Sequence, residues 1–121
     1  MKSTITKTIL IILTVFVVSC SDSFTFTKRT KILTDNRWKV NTYVDYSQNN
    51  TLELRPAVYN FLENGDLIKI YDNNDTIHSS WKLSEDSNYL TIGANTFKVN
   101  TLTKRVLSLN YGDVEIFFVS L

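Results

Sequence analysis

The chain is poor in the residues that carry chemistry or staple a small fold. Its 121 residues include one cysteine, one histidine, one proline and three glycines. A lone cysteine, Cys20, excludes an internal disulfide and a cysteine-based metal cluster. The lone histidine, His78, has no identifiable partner set. A metal site needs several ligands and a catalytic base needs an oriented neighbour, so His78 reads as a surface residue. There is no Gly-rich phosphate loop and no serine-nucleophile motif. An excess of one charge is also missing, with 13 basic against 12 acidic residues. A nearly neutral chain has no electrostatic footprint for nucleic acid. With Pro56 the only proline, long disordered tracts are not expected outside a terminal tether.

The N-terminus carries an address. Lys2 and Lys7 precede an apolar run from Ile9 to Val18, which is too short to span a bilayer comfortably and reads as a secretory signal. Val17-Val18-Ser19-Cys20 resembles a lipobox, the processing signal of bacterial lipoproteins. The resemblance implies cleavage before Cys20, lipidation of Cys20 and membrane anchoring of the mature chain. Residues 1–19 are then the signal peptide. Removing them takes away Lys2 and Lys7 and no acid, leaving 11 basic and 12 acidic residues, a formal charge of −1. Ser21, rather than Asp, comes directly after Cys20. By resemblance to enterobacterial sorting rules, that favours the outer membrane of the cell envelope. Residues 20–31 read as lipidated Cys and tether, with Phe24 and Phe26 incidental. The pair Ile32-Leu33 suggests one helical turn over Thr30–Asn36, opening a domain over residues 32–121.

From Arg37 onward the chain reads as all-β. Val, Ile, Thr, Tyr, Phe and Trp dominate, and polar punctuation recurs about every ten residues, the spacing of a meander. Strands are expected over 37–46, 56–63, 66–73, 76–83, 88–92, 96–102, 104–111 and 114–120, with one long loop at Ser47–Leu54. Trp38, Val40 and Val44 are expected to share a face, as are Ile77, Trp81 and Leu83. A two-residue turn at Gly112-Asp113 sets the last hairpin. It places Leu107, Leu109, Ile116 and Phe118 inward, and Val106, Phe117 and Val119 outward as an apolar strip. At Asn64-Gly65 a two-residue turn pairs Phe61 with Ile68 and Tyr59 with Ile70. A turn bulged at Gly65 would instead set Phe61 near Leu67 and turn Lys69 inward. The two-residue turn is preferred on that ground.

The succession of elements resembles a small lipocalin-like domain common in Bacteroidetes lipoproteins. It is carried by Asn36-Arg37-Trp38, Tyr59-x-Phe61 running into Asn64-Gly65-Asp66, Trp81-Lys82-Leu83, Leu90-x-Ile92-Gly93, Phe97-x-Val99-x-x-Leu102, Leu107-x-Leu109 and Ile116-x-Phe118. The resemblance implies an up-and-down antiparallel barrel of about eight strands. Lipocalins usually open with Gly-x-Trp. Asn36 stands at the glycine position and tolerates the same left-handed backbone. The chain is also shorter than ordinary lipocalins, so the interior is small.

Asp72-Asn73-Asn74-Asp75 lacks the alternation of a calcium loop and reads as a turn. Glu63 and Asp66, like Glu85 and Asp86, flank hairpin tips where carboxylates are solvated. No enzymatic activity and no cofactor are expected. Inward aromatics leave two readings open. They line a ligand pocket, with Tyr43, Tyr46, Tyr71 and Tyr111 near an open barrel end, or they are plain core. The expected function is that of an envelope lipoprotein holding a small hydrophobic or amphipathic ligand. The alternative is a filled barrel acting as a protein-interaction module through Val106, Phe117 and Val119.

Overall fold

The computed structural model describes residues 25–48, 50–52 and 55–121. The expected signal segment and Cys20 lie outside the described residues. A helix, α1, covers 25–35. Nine strands come after it among the described residues: β1 (Arg37–Asp45), β2 (Asn50–Leu52), β3 (Ala57–Phe61), β4 (Asp66–Tyr71), β5 (Thr76–Leu83), β6 (Tyr89–Ile92), β7 (Asn95–Leu102), β8 (Val106–Tyr111) and β9 (Val114–Ser120). Sequential antiparallel pairing runs from β3 to β9. β1 pairs with both β3 and β9, which closes an eight-strand ring. β2 lies in the segment expected to be loop and pairs with the far half of β1. The single proline, Pro56, sits in the break between β2 and β3, where its missing N–H interrupts no ladder.

The helix is longer than the single turn expected and takes in residues 25–31 of the expected tether. Phe26 and Leu33, seven apart, lie on one helical face, and both pack against the core. Leu33 is fully buried. The Trp38 indole N–H donates to the Leu33 carbonyl at 3.0 Å, and the Asn36 amide donates to the Ile32 carbonyl at 2.8 Å. Both bonds satisfy carbonyls in the last turn that have no helical partner. The helix thereby plugs one end of the barrel.

Residues opposite one another across a ladder share a face, so register sorts inside from outside. The last hairpin forms as expected, with Leu109 opposite Ile116, Leu107 opposite Phe118, and the outward pairs Ser108–Phe117 and Val106–Val119. Two expectations fail. At Asn64-Gly65, the Leu62 N–H donates to the Asp66 carbonyl at 2.8 Å, and Gly65 takes a φ of 93°. This is a three-residue loop with a bulge at the left-handed glycine. It pairs Phe61 with Leu67 and Tyr59 with Lys69, so Ile68 and Ile70 face outward and Lys69 inward. In β1, an irregularity between Val40 and Thr42 shifts the pairing with β9 by one residue. Trp38 and Val40 face inward, but beyond the bulge Tyr43 does so and Val44 turns outward beside Glu115.

The core is concentrated at the helix end. Leu33, Trp38, Phe61, Leu67, Leu90, Leu107, Leu109 and Phe118 are buried to 1% exposure or less. Trp81, on the same face as the buried Leu83, is itself half-buried. Its ring meets Phe61 edge-on at 5.8 Å, and its N–H donates to the Leu62 carbonyl at 2.8 Å.

Candidate functional site

The inner face changes character halfway along the barrel. Tracing the register across the strands, Tyr59, Lys69 and Ile77 form one inward row. Tyr43 lies opposite Ile116, and Tyr111 opposite Val114. Apart from Tyr59, which pairs with Trp38, these positions belong to the half away from α1, and none of them is fully buried. Ile77 keeps 48% of its surface exposed and Tyr111 53%. The same strands that close the core at one end thus present half-exposed aromatic and aliphatic side chains at the other. An apolar wall with a few polar groups is the usual make-up of a small-molecule site.

Ring contacts bind this wall together. Phe97 and Tyr111 meet at 5.4 Å between centroids in a tilted arrangement. Tyr59 meets Phe118 at 5.1 Å and Phe61 at 6.4 Å, so Tyr59 sits where the filled half gives way to the open one. Burial raises the Tyr59 phenol from its ordinary 10.0 to about 12, with a further push from Tyr71. The Lys69 ammonium lies 5.2 Å from the centre of the Tyr59 ring, and burial lowers its pKa below the ordinary lysine value. No carboxylate pairs with Lys69 among the described residues.

At the rim, the Arg55 guanidinium stacks over Tyr71 at 4.6 Å. It also pairs with Asp72 at 3.2 Å and Asp75 at 3.5 Å. These are the two acids of the Asp72–Asp75 segment, which forms a turn with Asn74 in the left-handed region at φ 66°. The segment holds a side chain of the barrel mouth in place, and no group of metal-ligating residues is found among the described residues.

Of the four tyrosines expected near the open end, Tyr43, Tyr71 and Tyr111 face inward. Tyr46 does not join them. Its hydroxyl donates to Glu115 on the outer face at 2.6 Å. Glu115 also accepts from Asn100 at 2.7 Å and from the buried Ser108. Burial alone would raise the Glu115 pKa, but the bonds from Ser108, Tyr46 and Asn100 outweigh it and hold the carboxyl below its ordinary value. This cluster clamps the outer side of β7–β9 and draws Tyr46 away from the mouth. His78 lies exposed on the outer face opposite Ile68. Glu63, Asp66, Glu85 and Asp86 are exposed at the helix end, apart from the open half.

Lys69 is the residue that sequence reasoning did not place here. Its signal was the three-residue stretch Glu63-Asn64-Gly65, whose length decides the register of β4.

No family model matches the chain, and no curated protein matches it. Solved structures do. A lipocalin-like protein from Bacteroides uniformis is 18% identical, with a TM-score of 0.62 over 74% of this chain and 99% of that one. An uncharacterized protein from Bacteroides eggerthii is 16% identical, with a TM-score of 0.58 over 71% of this chain and 98% of that one. The likeness agrees with the register on the fold, a closed antiparallel barrel of the lipocalin-like kind.

Proposed function

We propose that the protein is a non-enzymatic envelope lipoprotein whose open barrel half holds a small apolar or amphipathic ligand. One observation carries the ligand reading. Most of the fully buried core gathers toward the helix end, while the inward residues Tyr43, Tyr71, Ile77 and Tyr111 of the other half remain partly exposed. A barrel of this strand number holds one small molecule when its side chains do not fill it. Mass spectrometry of the purified protein under native conditions tests the reading. A co-purifying small molecule, lost in Tyr111→Ala, is the expected result. A ligand-free mass with no uptake of any apolar probe counts against it.

The anchoring rests on Val17-Val18-Ser19-Cys20. Cys20→Ala is expected to leave the protein unprocessed or to release it from the membrane fraction. A variant processed and retained like the parent would end the lipoprotein reading, and the outer-membrane address with it.

A second reading, a protein-interaction module, has its own support. The outward strip Val106, Phe117 and Val119 is half-buried rather than covered. Register extends it, because Val119 lies opposite Lys39, Lys39 opposite Val58, and Val58 opposite Ile70. The Gly65 bulge therefore lengthens the outer apolar band by turning Ile68 and Ile70 outward. Loss of a protein partner in Phe117→Ser at unchanged stability would favour this reading.

A further inference from the structure

Lys69 is the one lysine among the described residues that register places on the inner face of the barrel, and it does so against ordinary side-chain preference. Lysine is rarely buried unless paired. Its neighbours across the ladders are Tyr59 and Ile77, neither of which neutralises it. Three carboxylates of the mouth are engaged elsewhere. Asp72 and Asp75 hold Arg55. Asp45 accepts from the backbone N–H and the hydroxyl of Ser47, at 3.0 and 2.6 Å. The contact with the Tyr59 ring fixes the ammonium at the floor of the open half, where the filled core begins. Above it stand the Phe97–Tyr111 pair, Ile77 and Tyr43.

A cation with no carboxylate partner among the described residues, at the bottom of an apolar cup, is one half of a charge-assisted contact. We propose that the open half is built for an amphipath with a single anionic head group, which Lys69 receives at the floor while the apolar body lies against the aromatic wall. This deepens the ligand reading and rests on it. The acidic rim argues for one charge only. A second anionic group reaching the mouth would meet Asp45 and Asp113, whereas an apolar body meets Tyr111 and Phe97.

Two dyes that share a ring system separate the claims. Anilinonaphthalenesulfonate carries an anionic head; N-phenylnaphthylamine lacks it. Each is titrated by fluorescence against the full chain in phosphatidylcholine nanodiscs, with empty discs subtracted. The expected result is binding of both, with the sulfonate favoured about tenfold or more, the scale of one charged hydrogen bond. Lys69→Met and Lys69→Gln should both abolish the preference and leave the neutral dye unchanged, while Lys69→Arg should retain it. Tyr111→Ala should weaken both dyes, which places them in the cup rather than on the outer band. If both dyes bind equally, or if the preference survives in both neutral variants, the role of Lys69 is overturned and the cup reading stands. If neither dye binds beyond empty discs, the cup reading falls and Lys69 is a snorkelling side chain in a filled barrel.

Discussion

The helix end and the open end of the barrel are made from the same strands, yet they put opposite demands on the side chains. Strand β9 carries Phe118, 1% exposed, toward the helix end, and Val114 toward the mouth opposite Tyr111, which is 53% exposed. Strand β5 runs the other way, from Ile77 at 48% to Leu83 at 4%. Hydrophobicity hardly differs between these pairs. What differs is coverage. Leu33 and the Trp38 indole seal one end from below, and nothing comparable covers the other among the described residues. Stability therefore belongs mainly to the capped half.

Mutations that treat the two ends alike would break this comparison. Trp38→Ala is expected to cost about 3–5 kcal/mol, the range for a fully buried large aromatic. That is a large share of the ~5–15 kcal/mol that holds a domain of this size. Tyr111→Ala, in the open half, should cost roughly 1 kcal/mol or less. Chemical denaturation of both variants checks the ratio, and similar midpoints would mean that the mouth is as tightly packed as the floor. Within β9, Phe118→Ala should likewise cost about 3–5 kcal/mol and Phe117→Ser much less. Equal losses would show that the outer band is covered as well.

Gly65→Ala sharpens the comparison at the step that sets the register of β4. The added methyl meets no atom closer than 3.8 Å, so the cost is the left-handed backbone alone. A loss of about 1 kcal/mol is expected. A neutral result would argue against the bulged loop, and with it against an inward Lys69.

A pH dependence is confined to the boundary between the halves and sets in only above pH 10. The folded state holds the Tyr59 phenol proton up to about 12, while the unfolded chain releases it near 10.0. Between those values the unfolded state binds fewer protons, so this contribution to stability is intact below pH 10 and is lost as the pH climbs toward 12. Tyr59→Phe should remove that part of the slope in denaturation midpoints measured across the range. An identical alkaline slope in the variant would place Tyr59 in solvent.

The contrast between the two ends also explains how much is legible in the residues alone. The last hairpin is legible in full, because Gly112-Asp113 allows one tight turn and the apolar set Leu107, Leu109, Ile116 and Phe118 fits one register. The closed barrel comes from the same alternation. The Asn64-Gly65 hairpin departs from its expected register because an inward lysine counts against a pairing, and that rule holds at the capped end but fails at the open one. The β1 bulge leaves no trace in the sequence, since Val40, Thr42 and Val44 alternate without interruption. The early start of the helix is hidden by its polar composition, in which Phe26, Ile32 and Leu33 are the few apolar contacts. The site is half legible. Three of the four tyrosines face the cup, but the charged residue at its floor is one that patterning assigns to the outside.

Ring closure by β1 and β9 has a kinetic side. It joins the first strand to the last, and such non-local pairings form late because loop entropy must be overcome first. Until β9 is available, β1 and β8 each keep an open edge, and Trp38 and Val40 lack the neighbours Ser120 and Phe118. If the protein is exported as proposed, that delay is useful, since a polypeptide that has not closed its ring remains threadable through a translocation channel. The same delay makes β9 the segment whose slowed arrival would most prolong exposure to proteases and to edge-to-edge association.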